Sequence, residues 1–277
     1  KILIANPMGH IADTAFGAGA LHWYDAWFGL VGYAFQIYFD FSGYSDMAIG
    51  LGRMFGFHFP ENFAHPYAAQ SIRDFWRRWH ISLSTFFRDY VYIPLGGNRL
   101  GAARSALNLS LVFVLCGFWH GASWAFVVWG AFHGACLSAE RLGLDRLIAR
   151  LPLPARWAYT MTLVMVGWVF FRCETLSHAG MVLAAMAGAG PAAADAGGWQ
   201  GAIDAQVVLT MVVGAVAAVG APVALYDRIA ARLRATGGAI AEGALQVAGI
   251  AFVALVMYAS TVTLVSSGFN PFIYYRF

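Results

Sequence analysis

Long uncharged apolar stretches alternate with arginine-rich connections along this chain. The apolar runs cover residues 26–38, 105–139, 157–171, 205–226 and 243–267. A helix of about 20 apolar residues is long enough to span the hydrocarbon core of a bilayer. The pattern therefore predicts an all-α, polytopic transmembrane protein.

The arginines suggest which connections face the cytoplasm, where basic residues accumulate. Connections 53–104, 140–156 and 227–242 hold seven, four and three arginines, whereas 172–204 holds one arginine and three acids. We therefore expect the first three inside and the last outside. The outer connection is predicted to be a loop with one short helix.

This topology has a consequence for the stretch 105–139, which must enter the membrane and return to the same side. Split at residues 120–123, its first arm of about 15 residues would extend roughly 22 Å, less than the hydrocarbon core of about 30 Å. We predict a re-entrant or short helical hairpin with its turn at membrane depth. Irregular backbone at that depth must be buried in protein or line a cavity.

Between residues 71 and 90, apolar side chains recur every three or four positions opposite a polar stripe with the same spacing. The stripe consists of Arg73, Arg77, His80, Ser84 and Arg88. This pattern predicts one basic amphipathic helix in the membrane interface. It can be a surface helix alone, or Arg77, His80 and Ser84 can also line an entrance for an anionic acyl donor.

Composition supports a membrane protein and argues against a nucleic-acid partner. The chain is 60% hydrophobic and 11% charged, against about 25% charged residues in soluble domains. Its net charge is +3, with 16 of the 17 basic residues arginines placed in connections. The three cysteines show no C-x-x-C spacing, and no metal ligand stands three or four residues after His120, so we expect no metal site.

Two histidines, His120 and His133, lie in the apolar stretch 105–139. An ionisable group at membrane depth is a functional candidate, although a neutral histidine hydrogen-bonded between helices is the alternative. Neutral imidazole can take a proton from an alcohol as it attacks a thioester. Ser123 is either a nucleophile or a small residue in a tight junction. Asp40 and Asp46 should face protein or a water-filled cavity, because exposure to lipid is costly.

Four runs in order resemble the motifs of the membrane-bound O-acyltransferases. They are FQIYFDFSGYSDMAIG at 35–50, FWRRWHISLS at 75–84, FRDYVYIPLGGN at 87–98 and FWHGASW at 118–124. Within that family the chain looks most like the bacterial alginate O-acetyltransferase branch, whose relatives include the D-alanyl transfer protein of teichoic acids.

The resemblance implies one membrane-embedded domain over residues 1–277. Its core motifs would lie in 1–142 and further transmembrane helices in 143–277, without several N-terminal helices that family members usually carry. His120 matches the family's catalytic histidine and His80 its second conserved histidine. The other residues expected to bind donor or substrate, or to shape the site, are Arg77, Arg78, Ser84, Asp40, Asp46 and Trp119.

The resemblance also implies the reaction and its setting. Acetyl groups would pass from a cytoplasmic thioester, acetyl-CoA or another, to an exopolysaccharide such as alginate, with periplasmic proteins assisting, in the bacterial inner membrane. No bound cofactor is expected. One alternative is D-alanyl transfer from an acyl carrier protein. Another is a transporter, which would often show an internal repeat; the sequence offers only a short echo of the His120 region at residues 132–134.

Overall fold

A computed structural model describes residues 1–18, 21–190 and 203–267, and over these residues every regular element is helical. The predicted all-α class is confirmed. Within these described ranges, two helices are long and apolar enough to cross a membrane, at Gly101–His120 and Ala221–Ser266. The helices are α1 Ala5–Gly17, α2 Trp23–Met54, α3 Ile72–Arg78, α4 Ile81–Phe87, α5 Gly101–His120, α6 Trp124–Ala139, α7 Asp145–Ile148, α8 Leu153–Arg172, α9 Leu176–Met186, α10 Ala205–Ala218 and α11 Ala221–Ser267.

The stretch 105–139 forms a hairpin of α5 and α6 whose turn lies at residues 121–123, within the predicted split at 120–123. The predicted short first arm is wrong, because α5 begins at Gly101 and its 20 residues are long enough to cross a membrane. Ser123 is the N-cap of α6, and its hydroxyl accepts a hydrogen bond from the Ala125 backbone N–H at 3.2 Å. Glycines allow the two helices to pack backbone against backbone, as small residues do between membrane helices. A Cβ added to Gly117 or Gly130 would overlap a backbone carbonyl of the opposite helix.

The prediction of a single amphipathic helix over 71–90 is wrong. The chain breaks at His80, which has left-handed backbone angles of φ 45° and ψ 56°, so that α3 and α4 are separate short helices. A π-helical turn, Arg88–Tyr92, follows α4. The apolar side of α3 does not lie on a surface either, because Ile72 and Phe75 are fully buried in the protein core.

A buried carboxylate fixes the start of α3 against the hairpin. Glu140 follows α6, and its two carboxylate oxygens accept hydrogen bonds from the backbone N–H groups of Ile72 at 2.8 Å and Arg73 at 3.0 Å. The first N–H groups of a helix have no partner within it, so an acceptor from elsewhere satisfies them. The side chain of Glu140 therefore ties α3 to the end of α6.

The C-terminal half departs further from the prediction. The apolar run 157–171 lies in α8 and the short helix expected in 172–204 is α9, although residues 191–202 of that connection lie outside the described part. The predicted span 205–226 is wrong, because α10 ends at Ala218. The arginine-bearing connection predicted at 227–242 is helical, since α11 runs through it with one break at Gly238.

Candidate active site

The hairpin, α3, α4 and the π-helical turn enclose a cavity of about 380 Å³. Aromatic and aliphatic side chains form most of its wall, and polar groups are concentrated in a few positions. Those polar or ionisable wall residues are Arg73, Arg77, His80, Ser84, Thr85, Arg88, Tyr92, Cys116 and His120.

Contacts between the helices define the two ends of this cavity. Arg73 lies in the first turn of α3 beside Glu140. Farther along α3, the Trp76 indole N–H points at Nδ1 of His133 in the middle of α6, at 3.4 Å. Beyond the end of α3, the His80 ring lies 6.2 Å from the ring of Trp119, next to His120. The arginine-bearing start of α3 and the two histidines therefore lie at opposite ends.

One face of α5 forms the wall between these ends. Leu109, Val112, Phe113, Cys116 and His120 line the cavity. Steps of three or four residues connect Leu109 with Val112 or Phe113, and these with Cys116 and His120, so all five lie on a single helical stripe. Eleven residues separate the first from the last, which corresponds to about 16 Å of helix. The cavity is therefore elongated and mostly apolar along its length.

His120 lies at the C-terminus of α5 among aromatic rings. Its imidazole centroid is 4.9 Å from that of Phe171, 5.2 Å from Trp129 and 4.9 Å from Trp119. Phe171 comes from α8, so three helices surround the histidine. A largely apolar setting disfavours the charged imidazolium relative to the neutral base.

His80 is held by hydrogen bonds on one side of its ring only. Nδ1 lies 3.3 Å from Oδ1 of Asn62 and 3.3 Å from Oγ of Ser82, whereas Nε2 is buried without a partner among the described protein atoms. Burial lowers the pKa of His80 to about 4. The side chain is thus an uncharged base at neutral pH.

The residues predicted from the sequence separate into two groups. His120, His80, Arg77 and Ser84 all line the cavity. Arg78 does not: it binds the carboxylate of Asp74 at 2.8 Å. Trp119 is half exposed and touches the site through the ring contacts already described.

The two aspartates lie away from the cavity wall. Asp40 is buried in α2 as expected, where its carboxylate pairs with the Lys1 ammonium at 2.8 Å. Asp46 is exposed one turn and a half farther along the same helix. Two other residues of the motif 35–50 reach the site. The Phe41 ring packs on the ring of His80 at 4.7 Å, and the Ser45 hydroxyl accepts a hydrogen bond from Asn62 Nδ2 at 3.2 Å.

His133 is packed between helices in the protein core and does not line the cavity. It is 1% exposed, it contacts the rings of Trp76 and Trp129 at 5.1 and 5.3 Å, and it is absent from the cavity wall. Gly167 of α8 leaves space for the imidazole, since a Cβ there would overlap it. This is the alternative that the sequence left open for a histidine in an apolar stretch.

Sequence reasoning omitted several residues at the cavity. Arg73 and Arg88 belong to the polar stripe but were not selected as site residues, and Cys116 lies one helical turn before His120. Helical spacing could have identified all three. Asn62 gave no such signal, because it lies in an irregular connection and meets His80 only through the fold.

All of these cavity residues fall within a region shared with a known family. The sequence model of the membrane-bound O-acyltransferase family, MBOAT, matches residues 21–177, more than half of the chain. A probable alginate O-acetylase of Pseudomonas putida is 54% identical over 187 residues, which cover 67% of this chain and 38% of that protein.

Two further relatives differ in the group or polymer that their names specify. The peptidoglycan O-acetyltransferase of Helicobacter pylori is 46% identical over 192 residues, covering 68% of this chain and 36% of the relative. The teichoic acid D-alanyltransferase of Bacillus subtilis is 36% identical over 118 residues, covering 39% and 29%. The chain thus spans less than two fifths of the length of these relatives.

Proposed function

The chain belongs to the membrane-bound O-acyltransferase family, and on that premise we propose that it transfers an acetyl group from a thioester to a hydroxyl of an exopolysaccharide. The observation that carries the proposal is the elongated cavity, with two histidines at one end and arginines along its rim. The relatives named as acetylases of alginate and peptidoglycan support acetyl as the group and a bacterial polysaccharide as the acceptor.

The donor would be acetyl-CoA or another acyl thioester carried on a phosphate-bearing arm. Arg73, Arg77 and Arg88 are exposed on the cavity side, and guanidinium groups bind phosphates with two parallel hydrogen bonds. The apolar stripe of α5 leads from this rim to His120. An extended arm lying along the stripe would bring its thioester to the histidines.

The chemistry requires one base and no covalent enzyme intermediate. As the acceptor oxygen attacks the thioester carbonyl, its proton passes to Nε2 or Nδ1 of His120. The carbon–sulfur bond then breaks, and the proton is returned to the departing thiolate. A general base in reach of the hydroxyl accelerates such a step by about 10²–10⁴-fold. His80 and Arg77 would orient the reactants.

The proposed setting is the bacterial inner membrane, crossed several times. The arginine-rich connections 53–104, 140–156 and 227–242 would face the cytoplasm, which would put the donor rim there. The hairpin turn at 121–123 would lie within the membrane, and α3 would run from the cytoplasmic rim inwards to His80. The acceptor polymer, or periplasmic proteins that receive the acetyl group first, would approach His120 from the outer side.

A D-alanyl group delivered by an acyl carrier protein is the second candidate. It is supported by the similarity to the Bacillus subtilis teichoic acid D-alanyltransferase, although that match is shorter and less identical. The chemistry at His120 would be the same. The two candidates differ in the acyl group and its carrier.

Replacement of His120 by alanine in the full-length protein tests the proposal. We expect loss of polymer O-acetyl groups, measured by mass spectrometry of the exopolysaccharide, while the amount of protein in the membrane is unchanged. His58→Ala is the matched control, because His58 is exposed in a connection outside the cavity. Normal acetylation by His120→Ala would refute the assignment, and D-alanyl esters in place of acetyl esters would support the second candidate.

A further inference from the structure

Asn62 lies in the connection between α2 and α3, yet its side chain joins three parts of the site. Oδ1 accepts hydrogen bonds from the backbone N–H of Ser82 at 3.1 Å and from the Ser82 hydroxyl at 2.9 Å. The same oxygen is 3.3 Å from Nδ1 of His80. Nδ2 donates to the hydroxyl of Ser45 in α2.

These bonds determine which nitrogen of His80 carries the proton. A backbone N–H can only donate, so the atom of Asn62 that faces Ser82 must be the amide oxygen. The single hydroxyl proton of Ser82 is used in its shorter bond to Asn62, so Ser82 Oγ can only accept from His80. Both neighbours of Nδ1 are therefore acceptors, and Nδ1 carries the hydrogen.

Nε2 of His80 then carries a lone pair that accepts no hydrogen bond from the described protein atoms. It is buried and has no partner among the described protein atoms, although His80 forms part of the cavity wall. An unsatisfied buried acceptor is costly and calls for an explanation. A hydrogen-bond donor that enters the cavity would supply the missing partner.

The backbone supports the same interpretation. His80 adopts a left-handed conformation, which is unfavourable for a residue other than glycine. The surrounding contacts keep it there: the Ile81 N–H donates to the Asn62 carbonyl at 3.0 Å, and the Ala64 N–H donates to the Arg78 carbonyl at 2.9 Å. The connection that contains Asn62 is thus bound to both sides of the strained residue.

We propose that Asn62 is a positioning residue that holds His80 as its Nδ1–H tautomer, so that Nε2 accepts a hydrogen bond from an O–H or N–H group of the bound substrate. This inference rests on the proposed acyl transfer. It also gives the motif 35–50 a direct link to the site, because Ser45 anchors the amide of Asn62.

Two substitutions separate positioning from simple structural support. Asn62→Asp keeps an acceptor at Nδ1 and adds a negative charge beside it, whereas Asn62→Ala removes the acceptor. Asn108→Ala is the matched control, because Asn108 is an asparagine that is buried but donates to the Leu95 carbonyl at 3.0 Å instead of contacting His80. His120, Cys116, Arg77 and Arg88 line the same cavity and are unchanged in all three variants.

The measurement is kcat/KM against pH for the full-length protein in proteoliposomes, with acetyl-CoA and alginate oligosaccharides as substrates. We expect Asn62→Ala to lower kcat/KM by about 10–100-fold at pH 7.5, as loss of a supporting hydrogen bond does at other sites. Asn62→Asp should remain active at that pH. Because its carboxylate stabilises the imidazolium of His80, activity should be lost on acidification at a pH higher by roughly 1–3 units than in the wild type.

Two results would contradict the role of Asn62. One is that Asn62→Ala has the same kcat/KM as the wild type; the other is that Asn62→Asp loses activity on acidification at the same pH as the wild type. If Asn62→Ala does not fold, the Asn62→Asp profile still decides. The pH dependence of the thermal midpoint of Asn62→Asp reports the pKa of His80 without any substrate. A failure of the proposed function is distinct, because it would appear as acetyl transfer that survives His120→Ala.

Discussion

His80 combines a left-handed backbone with a ring that is hydrogen-bonded on one nitrogen only. Asparagine tolerates left-handed angles, so His80→Asn removes the imidazole without adding backbone strain. We expect kcat/KM for acetyl transfer at pH 7.5 to fall by at least about tenfold, the effect of one lost hydrogen bond of about 1.4 kcal/mol. His65→Asn is the control, because His65 is also left-handed (φ 50°) but lies outside the cavity.

The same pair of variants tests the depressed pKa of His80. Its value of about 4 in the folded protein lies below that of about 6.5 in an unfolded chain. Between these values the unfolded state binds more protons, so the favourable contribution is complete above pH 6.5 and is lost as pH falls through about 4. The thermal midpoint of His80→Asn should therefore fall less between pH 7 and 4.5 than that of His65→Asn; equal slopes would contradict the burial of a neutral His80.

Among the helices, the hairpin of α5 and α6 depends on close backbone packing. A Cβ at position 130 would overlap the carbonyl oxygen of Phe113, so Gly130→Ala must push the helices apart, at a cost of about 1–3 kcal/mol. Gly180→Ala is the control, because Gly180 lies on an exposed side of α9 with free space around it. There alanine should stabilise the helix by about 1 kcal/mol. In detergent, the thermal midpoints of the two variants should shift in opposite directions.

At the same scale, the sequence could predict some elements and not others. The hairpin turn at 121–123 follows from the length of an uncharged stretch and from the polar group in its middle. The break at His80 could not be predicted, because the apolar spacing continues in phase on both sides of it. The strained residue is held by contacts with the connection that contains Asn62, which the local pattern does not show. The charges of 227–242 mark a connection between apolar stretches but not its conformation: arginine is a good helix former, and α11 passes through the segment.

At the scale of the whole molecule, the proposed membrane topology can be tested on α8, because the two ends of this helix lie at opposite ends of the cavity. Tyr159 near the start of α8 reaches Glu140, whereas Phe171 at its other end packs on His120. The connections that precede and follow α8 therefore lie at the rim and at the histidine end of the cavity, respectively. If the rim faces the cytoplasm, the two connections must be accessible from opposite sides of the membrane.

Single cysteines in those two connections make this measurable. Arg150 and Glu174 are both exposed, and the native Cys116, Cys136 and Cys173 can be replaced by alanine to remove background labelling. A membrane-impermeant maleimide that reaches the periplasm should label Glu174→Cys in intact cells and Arg150→Cys only after the inner membrane is permeabilised. The reverse pattern would place the arginine rim outside, where acetyl-CoA is not supplied, and the donor path proposed for the cavity would be untenable. Labelling of both positions in intact cells would contradict the crossing of the membrane by α8.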